Sequence, residues 1–225
     1  MLSEERISIR VKFSKTGSLK FISHLDLART MKSAFLRSKL PIWYTLGFNP
    51  HPKMVFSLPL SVGTASLCEF MDFYLTDKVD FSEICERLNK AFPADLRAIE
   101  AYIPSSRFCD IGWADYRINL ITPIADEELA GKIKALFDGD IIVSKTTKTG
   151  TREINIAPLS SLLSCEYKDG GIEIVSRLSC GENSFINPKH IIEHISANIP
   201  NILDGGDYTV CRENVWFADG QTEFK

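Results

Sequence analysis

The chain has 225 residues, 44% apolar and 24% charged, with a formal net charge of -3, which excludes disordered, collagen-like and low-complexity scaffolds. No apolar run approaches the about 18–20 residues that a membrane span needs, and the acidic opening MLSEERISIR is unlike a secretory leader. Six widely spaced cysteines with no C-x-x-C pair read as reduced, mostly packed thiols of a cytoplasmic α+β protein that meets no membrane.

Residues 7–13 alternate, with Ile7, Ile9, Val11 and Phe13 on one side and Ser8, Arg10 and Lys12 on the other, so they predict a strand with one buried and one basic face. Lys15-Thr16-Gly17-Ser18 is turn chemistry. Ser23 three residues before Asp26 predicts a capped helix start. The stripe Leu27, Met31, Ala34, Phe35, Ser38 carries that helix to Pro41, with Arg29, Lys32 and Arg37 opposite. A proline-braced loop over 47–53, strands over 54–60 and 69–75, a helix over 80–92 and a strand over 96–103 complete a β-α-β-β-α-β unit of ferredoxin-like order.

Residues 105–115 lack periodicity and read as a linker between domains at 1–104 and 116–225. The second domain repeats the order: strand 116–122, helix 126–137, a hairpin over 140–156 turning at Thr149-Gly150, and a second hairpin over 165–177 turning at Asp169-Gly170. A helix begins at Asn187-Pro188, and 208–217 is the last strand. The fold class is therefore α+β, two tandem ferredoxin-like units, the second with an inserted hairpin.

Charge is uneven along this plan. Residues 1–60 hold ten Lys/Arg against three Asp/Glu, and residues 61–225 hold sixteen against twenty-six. A cationic end suits a polyanion, an acidic protein or plain solvent. If the apolar side of the first strand lies under the helices, Arg10 and Lys12 occupy a free sheet face where phosphates can be neutralised without base readout. Gly47-Phe48-Asn49-Pro50-His51-Pro52-Lys53 is a stiff loop, because each proline fixes its own angle and extends the residue before it. It either displays Phe48, Asn49, His51 and Lys53 to a base and a phosphate, or tucks Phe48 into the core and turns His51 to a backbone carbonyl. His24, at the helix start, invites an acid–base role, but no second histidine, tyrosine or carboxylate is near it in sequence, and a structural histidine fits as well. His190 and His194 sit one helical turn apart without a third ligand and read as a solvated face. Phosphate-loop, dinucleotide, nucleophile-elbow and C-x-x-x-C-x-x-C patterns are all missing, so neither cofactor nor metal is expected.

Lys15-Thr16-Gly17, Phe21-Ile22-Ser23-His24-Leu25-Asp26-Leu27-Ala28-Arg29, Lys39-Leu40-Pro41, the 47–53 loop, Ser57-Leu58-Pro59-Leu60-Ser61-Val62-Gly63 and Glu69 together resemble the radical SAM-linked family, a bacterial domain of unknown function found beside or fused to a radical S-adenosylmethionine protein. Thr151-Arg152-Glu153-Ile154-Asn155-Ile156 resembles a further family segment in which aspartate usually stands where this chain has Asn155. The resemblance implies a radical SAM partner and, because such genes lie near ribosomal and RNA-processing genes, an RNA-related role. A fainter likeness joins the chain to tandem ferredoxin-like endoribonucleases that process CRISPR repeat RNA, some with a histidine on the first helix, where His24 stands here. Their glycine-rich C-terminal loop has no counterpart; Gly205-Gly206 is too short.

The leading expectation is a non-catalytic accessory protein that binds or positions RNA for a radical SAM partner. Arg10, Lys12, Lys15, Lys20, Arg29, Lys32, Arg37, Lys53 and Arg152 are its candidate contacts to phosphate or partner, with Phe48, Asn49 and His51 engaging a base or the partner. The alternatives are a metal-independent endoribonuclease using His24 and a protein-only adaptor whose basic end docks on an acidic partner.

Overall fold

The alternation that opens the chain becomes strand β1 (Ile7–Lys15). The computed structural model describes residues 6–147, 150–182 and 184–225, and the chain forms two units, Met1–Phe108 with Lys225 and Cys109–Phe224. In the first unit β1 is followed by α1 (His24–Ser38), β2 (Val55–Phe56), β3 (Thr64–Leu75), α2 (Phe81–Ala91) and β4 (Leu96–Tyr102). The strands run antiparallel in the order β4-β1-β3, and β2 pairs with β3.

Period-two alternation decides which side of this sheet is dry. Ile9, Val11 and Phe13 of β1 and Met71, Phe73 and Leu75 of β3 pack against Leu27, Met31 and Phe35 of α1 and Ile84 and Leu88 of α2. The Phe35 and Phe73 rings lie 4.8 Å apart between centroids. Both helices therefore cover one face, as the alternation predicts. The turn after β1 depends on Gly17, whose φ is +50°; a Cβ there would stand 2.3 Å from Asp95 Cγ. Asp95 in turn accepts hydrogen bonds from the Ser18 amide at 2.8 Å and the Ser18 hydroxyl at 2.9 Å, which holds its carboxyl below its ordinary range. On the outer side of β4, the Asn89 side-chain amide of α2 exchanges two hydrogen bonds with the Ala98 backbone, donating to its carbonyl at 2.9 Å and accepting from its amide at 2.8 Å.

The second unit runs β5 (Ile111–Ile121), α3 (Glu127–Ala135), β6 (Ile142–Thr147), β7 (Gly150–Asn155), β8 (Ser160–Lys168), β9 (Gly171–Ser179), α4 (Lys189–Asn198) and β10 (Asp207–Phe217). Its main strands are antiparallel in the order β10-β5-β9-β8, and β6 and β7 form a separate two-stranded ribbon. Ile118 and Leu120 of β5 and Ile172 and Ile174 of β9 are buried. Arg117, just before Ile118 and only partly buried, bridges Glu213 at 2.6 Å and Glu173 at 2.5 Å. Asp126 caps α3 by accepting from the Leu129 amide at 2.7 Å.

The chain is thus a mixed α+β protein with antiparallel sheets and, among the described residues, four α-helices. None of these helices is long and apolar enough to cross a membrane, and all six cysteines are free thiols. Strand β5 starts at Ile111, inside the segment expected to be a linker. Its first residues pair with β10 from Ile111↔Phe217 onward and are buried irregularly, with Ala114, Asp115 and Tyr116 all inside, so no two-residue alternation is visible. The strand expected over 54–60 shrinks to Val55–Phe56, bracketed by Pro52 and Pro59, which cannot donate to a ladder. The expected turn at Thr149-Gly150 falls partly outside the described residues.

Candidate functional site

Ser23 starts α1 as the spacing predicts: its hydroxyl accepts from the Asp26 amide at 3.1 Å and donates to the Asp26 carboxylate at 2.7 Å. That hydroxyl, with the Arg29 guanidinium at 3.0 Å, holds the Asp26 carboxyl below its ordinary range. His24 is then the first helical residue, and its ring meets Phe56 edge-on with centroids 5.0 Å apart. Ala28 and Lys32 follow at four-residue steps, which places all three on one face of the helix.

The proline loop forms the opposite wall. Tyr44 and Pro52 bridge, the Thr45 amide donates to the His51 carbonyl at 2.9 Å, and the His51 amide donates to the Thr45 hydroxyl at 3.2 Å. The loop is closed at its neck and carries 46–50 as a projecting tip. Gly47 holds φ +123° there, and Phe48 is fully exposed at 113% of its reference area. Phe48 is therefore no core plug; among the described residues nothing covers its ring. His51 does turn to a backbone carbonyl, with Nδ1 2.9 Å from the Asn49 oxygen and 3.2 Å from the Thr45 hydroxyl.

Between these walls lies a cleft of about 250 Å³, lined by His24, Ala28 and Lys32 from α1, His51, Pro52 and Lys53 from the loop, and Met54 and Phe56 beneath. Two histidines and two lysines thus line it together with apolar side chains. Neither Lys32 nor Lys53 has a carboxylate partner among the described residues, and Lys53 Nζ stands 5.7 Å from the centre of the Tyr74 ring. A larger cleft of about 610 Å³ lies at the start of α2, between Ile7, Leu75, Phe81 and Ile103. Its charges are mixed, Asp77, Asp80 and Glu83 with Lys78 and Arg87, and Arg87 already pairs with Glu83 at 2.6 Å. The smaller cleft has the uncompensated cations and is the better candidate.

The other expected contacts divide. Arg10 and Lys15 are buried, with 1% and 2% of their areas exposed, and are not part of an open surface. Arg10 lies directly across from Asp72 in the β1–β3 register and bonds both carboxylate oxygens, at 2.7 and 2.9 Å. Ser106 accepts from the same guanidinium through its hydroxyl at 2.7 Å and its carbonyl at 3.0 Å, and the Phe108 ring covers it at 4.2 Å. The expectation of a free basic sheet face is corrected accordingly: the segment after β4 folds over Arg10, and Lys12 is half-buried, its ammonium 5.9 Å from the Phe70 ring centre. Arg37 donates to the Ala91 carbonyl at 2.7 Å and ties α1 to the end of α2. Arg29 is exposed but shared with Asp26, and Lys20 lies 5.0 Å from the centre of the Phe21 ring. Asn49 lends the loop its carbonyl, and Arg152 is exposed on β7 in the other unit.

Other relationships were legible only in space. His51 supplies the second histidine that no sequence spacing sets beside His24. Arg6 stacks on Trp43 and Tyr74 at 5.0 and 4.7 Å, adding a cation that no local pattern connects with those rings. In the second unit His190 Nδ1 is 3.0 Å from a Glu193 oxygen, and no group of three or more metal-ligating side chains converges among the described residues. Asn155 accepts from the Ile141 and Ala157 amides at 3.1 and 3.0 Å and donates to Asp140 at 2.7 Å, a role at the foot of the β6–β7 ribbon that suits an amide.

A search of curated proteins returns no match to the chain. The family described as an uncharacterized protein conserved in bacteria (DUF2344) matches residues 8–188, which take in every lining residue of the cleft, and the chain belongs to that family.

Proposed function

We propose that the chain is a non-catalytic accessory protein that binds or positions RNA, built on two tandem ferredoxin-like units and acting in the cytoplasm with a radical SAM partner. The partner rests on the motif resemblance. The RNA reading rests on one observation: Lys32 and Lys53, without carboxylate partners among the described residues, line one cleft with His24, His51 and apolar side chains. Ammonium groups take up phosphate oxygens and release counterions, while exposed apolar and aromatic groups accept bases or sugars whatever the sequence. Binding of a single strand then weakens with salt, at a log–log slope of about -0.7 per phosphate neutralised. Lys32→Ala with Lys53→Ala should lower affinity for single-stranded RNA and flatten that slope by about 1.4. An unchanged affinity and slope would remove the cleft from RNA binding.

A second reading, metal-independent RNA cleavage, draws on the placement of His24 and His51 in one cleft, since an acid and a base are needed together. Cleavage in the presence of chelator that His24→Ala abolishes would favour it over the accessory role.

A further inference from the structure

The outward crest of α1 departs from the uniformly polar face of an ordinary surface helix. Leu25, Arg29, Lys32 and Leu36 stand at steps of four, three and four residues, so all four fall within about 60° of arc. The buried stripe Leu27, Met31, Ala34, Phe35 and Ser38 occupies the opposite side. Leu25 and Leu36 are 59% and 70% exposed, and Arg29 and Lys32 are exposed between them. Single exposed leucines are ordinary. Two that bracket a pair of cations on one line, about 16 Å apart along the helix axis, form a patterned surface. Lys32 has no carboxylate partner among the described residues. Arg29 shares Asp26 at 3.0 Å in a solvent-exposed pair, of a kind that contributes little and leaves guanidinium donors for a second carboxylate.

A second copy of the chain fits this pattern badly. Laid antiparallel, its Leu36 would meet Leu25, but its Lys32 would meet Arg29; laid parallel, each cation would face its own counterpart. Like charges therefore oppose one another in both directions. A nucleic acid strand would neutralise the cations while its phosphates left both leucines in water. A helix of another protein meets both demands when it carries two acidic residues between two apolar ones at the same four-three-four spacing. Its apolar residues then cover the leucines, and its carboxylates take the cations. The spacing is the same from either end, so such a helix fits in either direction. Going beyond the RNA reading, which can fail while this one stands, we infer that the outer face of α1 is the docking surface for an acidic amphipathic helix of a partner protein. Leu25 and Leu36 anchor that helix, and Arg29 and Lys32 set its register.

The test uses the full chain and fluorescence anisotropy with three labelled alanine-based peptides of about eighteen residues, long enough to hold a helix. One carries leucine, glutamate, glutamate and leucine at the four-three-four spacing. A second has lysines in place of the glutamates, and a third has the composition of the first with the spacing scrambled. The first should bind at least about tenfold more tightly than either of the others. Leu25→Gln with Leu36→Gln, replacements that keep helix propensity on an exposed face, should weaken it by about tenfold through loss of both anchors. Arg29→Glu with Lys32→Glu should reverse the preference in favour of the lysine peptide, a result that damage to the fold would not produce. No binding of the first peptide, equal binding of the scrambled one, an affinity unchanged by the leucine replacements, or a preference that survives the charge reversal would each overturn the assignment. A dimer in sedimentation that the leucine replacements dissolve would also overturn it and give the face to a second copy. A single-stranded oligouridine that both double variants release while the first peptide still binds them would overturn it in favour of nucleic acid.

Discussion

The Arg10–Asp72 pair offers a quantitative test of which basic residues belong to the scaffold. Replacing Asp72 by Ala removes two charge-assisted hydrogen bonds, at 2.7 and 2.9 Å, from a guanidinium whose side chain is 1% exposed. Such bonds are worth roughly 1.5–3 kcal/mol each, and breaking a buried pair from one side costs about 3–5 kcal/mol. Two features place this case at the lower end: Asp72 keeps 19% of its side chain in water, and Ser106 still accepts from Arg10. The expected loss is about 3 kcal/mol, read in urea as a midpoint lowered by about 1.5 M for a slope of about 2 kcal/mol per molar. Replacing both partners together, Arg10→Met with Asp72→Leu, should recover at least about half of that loss, because no charge is left stranded. Far-UV circular dichroism across a urea series measures each variant. A loss below about 0.5 kcal/mol for Asp72→Ala, far under the range for a buried pair, would refute the claim that this pair is a buried structural contact.

Other variants probe the remaining elements. Ser23→Ala removes the cap of α1 and should cost about 1 kcal/mol; it should also weaken any ligand held by His24, and calorimetry with the same RNA titrations reads both effects. Because Ser23 and Arg29 depress the Asp26 carboxyl, the charged form is favoured on folding. The stabilisation is fully present above the unfolded value of about 4 and fades as pH falls through the lower folded value, so the gap in thermal midpoint between wild type and Asp26→Asn should close on acidification. Burial pushes the Cys165 thiol up to about 11, while Cys109 is exposed. A thiol reagent at mildly alkaline pH should modify Cys109 first and Cys165 only after unfolding, and peptide mass spectrometry showing equal rates would contradict that order. Gly17→Ala should cost more than about 1 kcal/mol, since a positive φ and the Asp95 carboxylate both oppose a side chain there; an unchanged urea midpoint would refute it.

Local rules carried the chain a long way where the relevant neighbours are close in sequence. The 7–13 alternation identifies the buried face of β1, and Ser23 with Asp26 identifies the start of α1, because each depends on contacts within a few residues. Arg10 shows where such reading stops. Alternation gives its side of the sheet correctly but not its fate, which is set by Asp72 across the ladder and by Ser106 and Phe108 in a segment with no periodicity. The same limit governs the cleft. His24 and His51 each stand out in the sequence, yet their placement in one site follows from the Thr45–His51 neck and from Phe56 beneath His24. Ile111–Asp115 escaped notice for a different reason: burial of successive residues on both faces of β5 removes the two-residue signal on which strand detection relies.

The two bonds between Asn89 and Ala98 also bear on how the molecule behaves in a crowded solution. They fill the outward-facing backbone groups near the middle of β4, where an extended segment of another chain would otherwise begin to zip on. Losing that amide through Asn89→Ala would bare a rim flanked by Ile99 and Ile103, both more than half exposed. The foreseeable result is self-association that rises with concentration while each monomer keeps its fold.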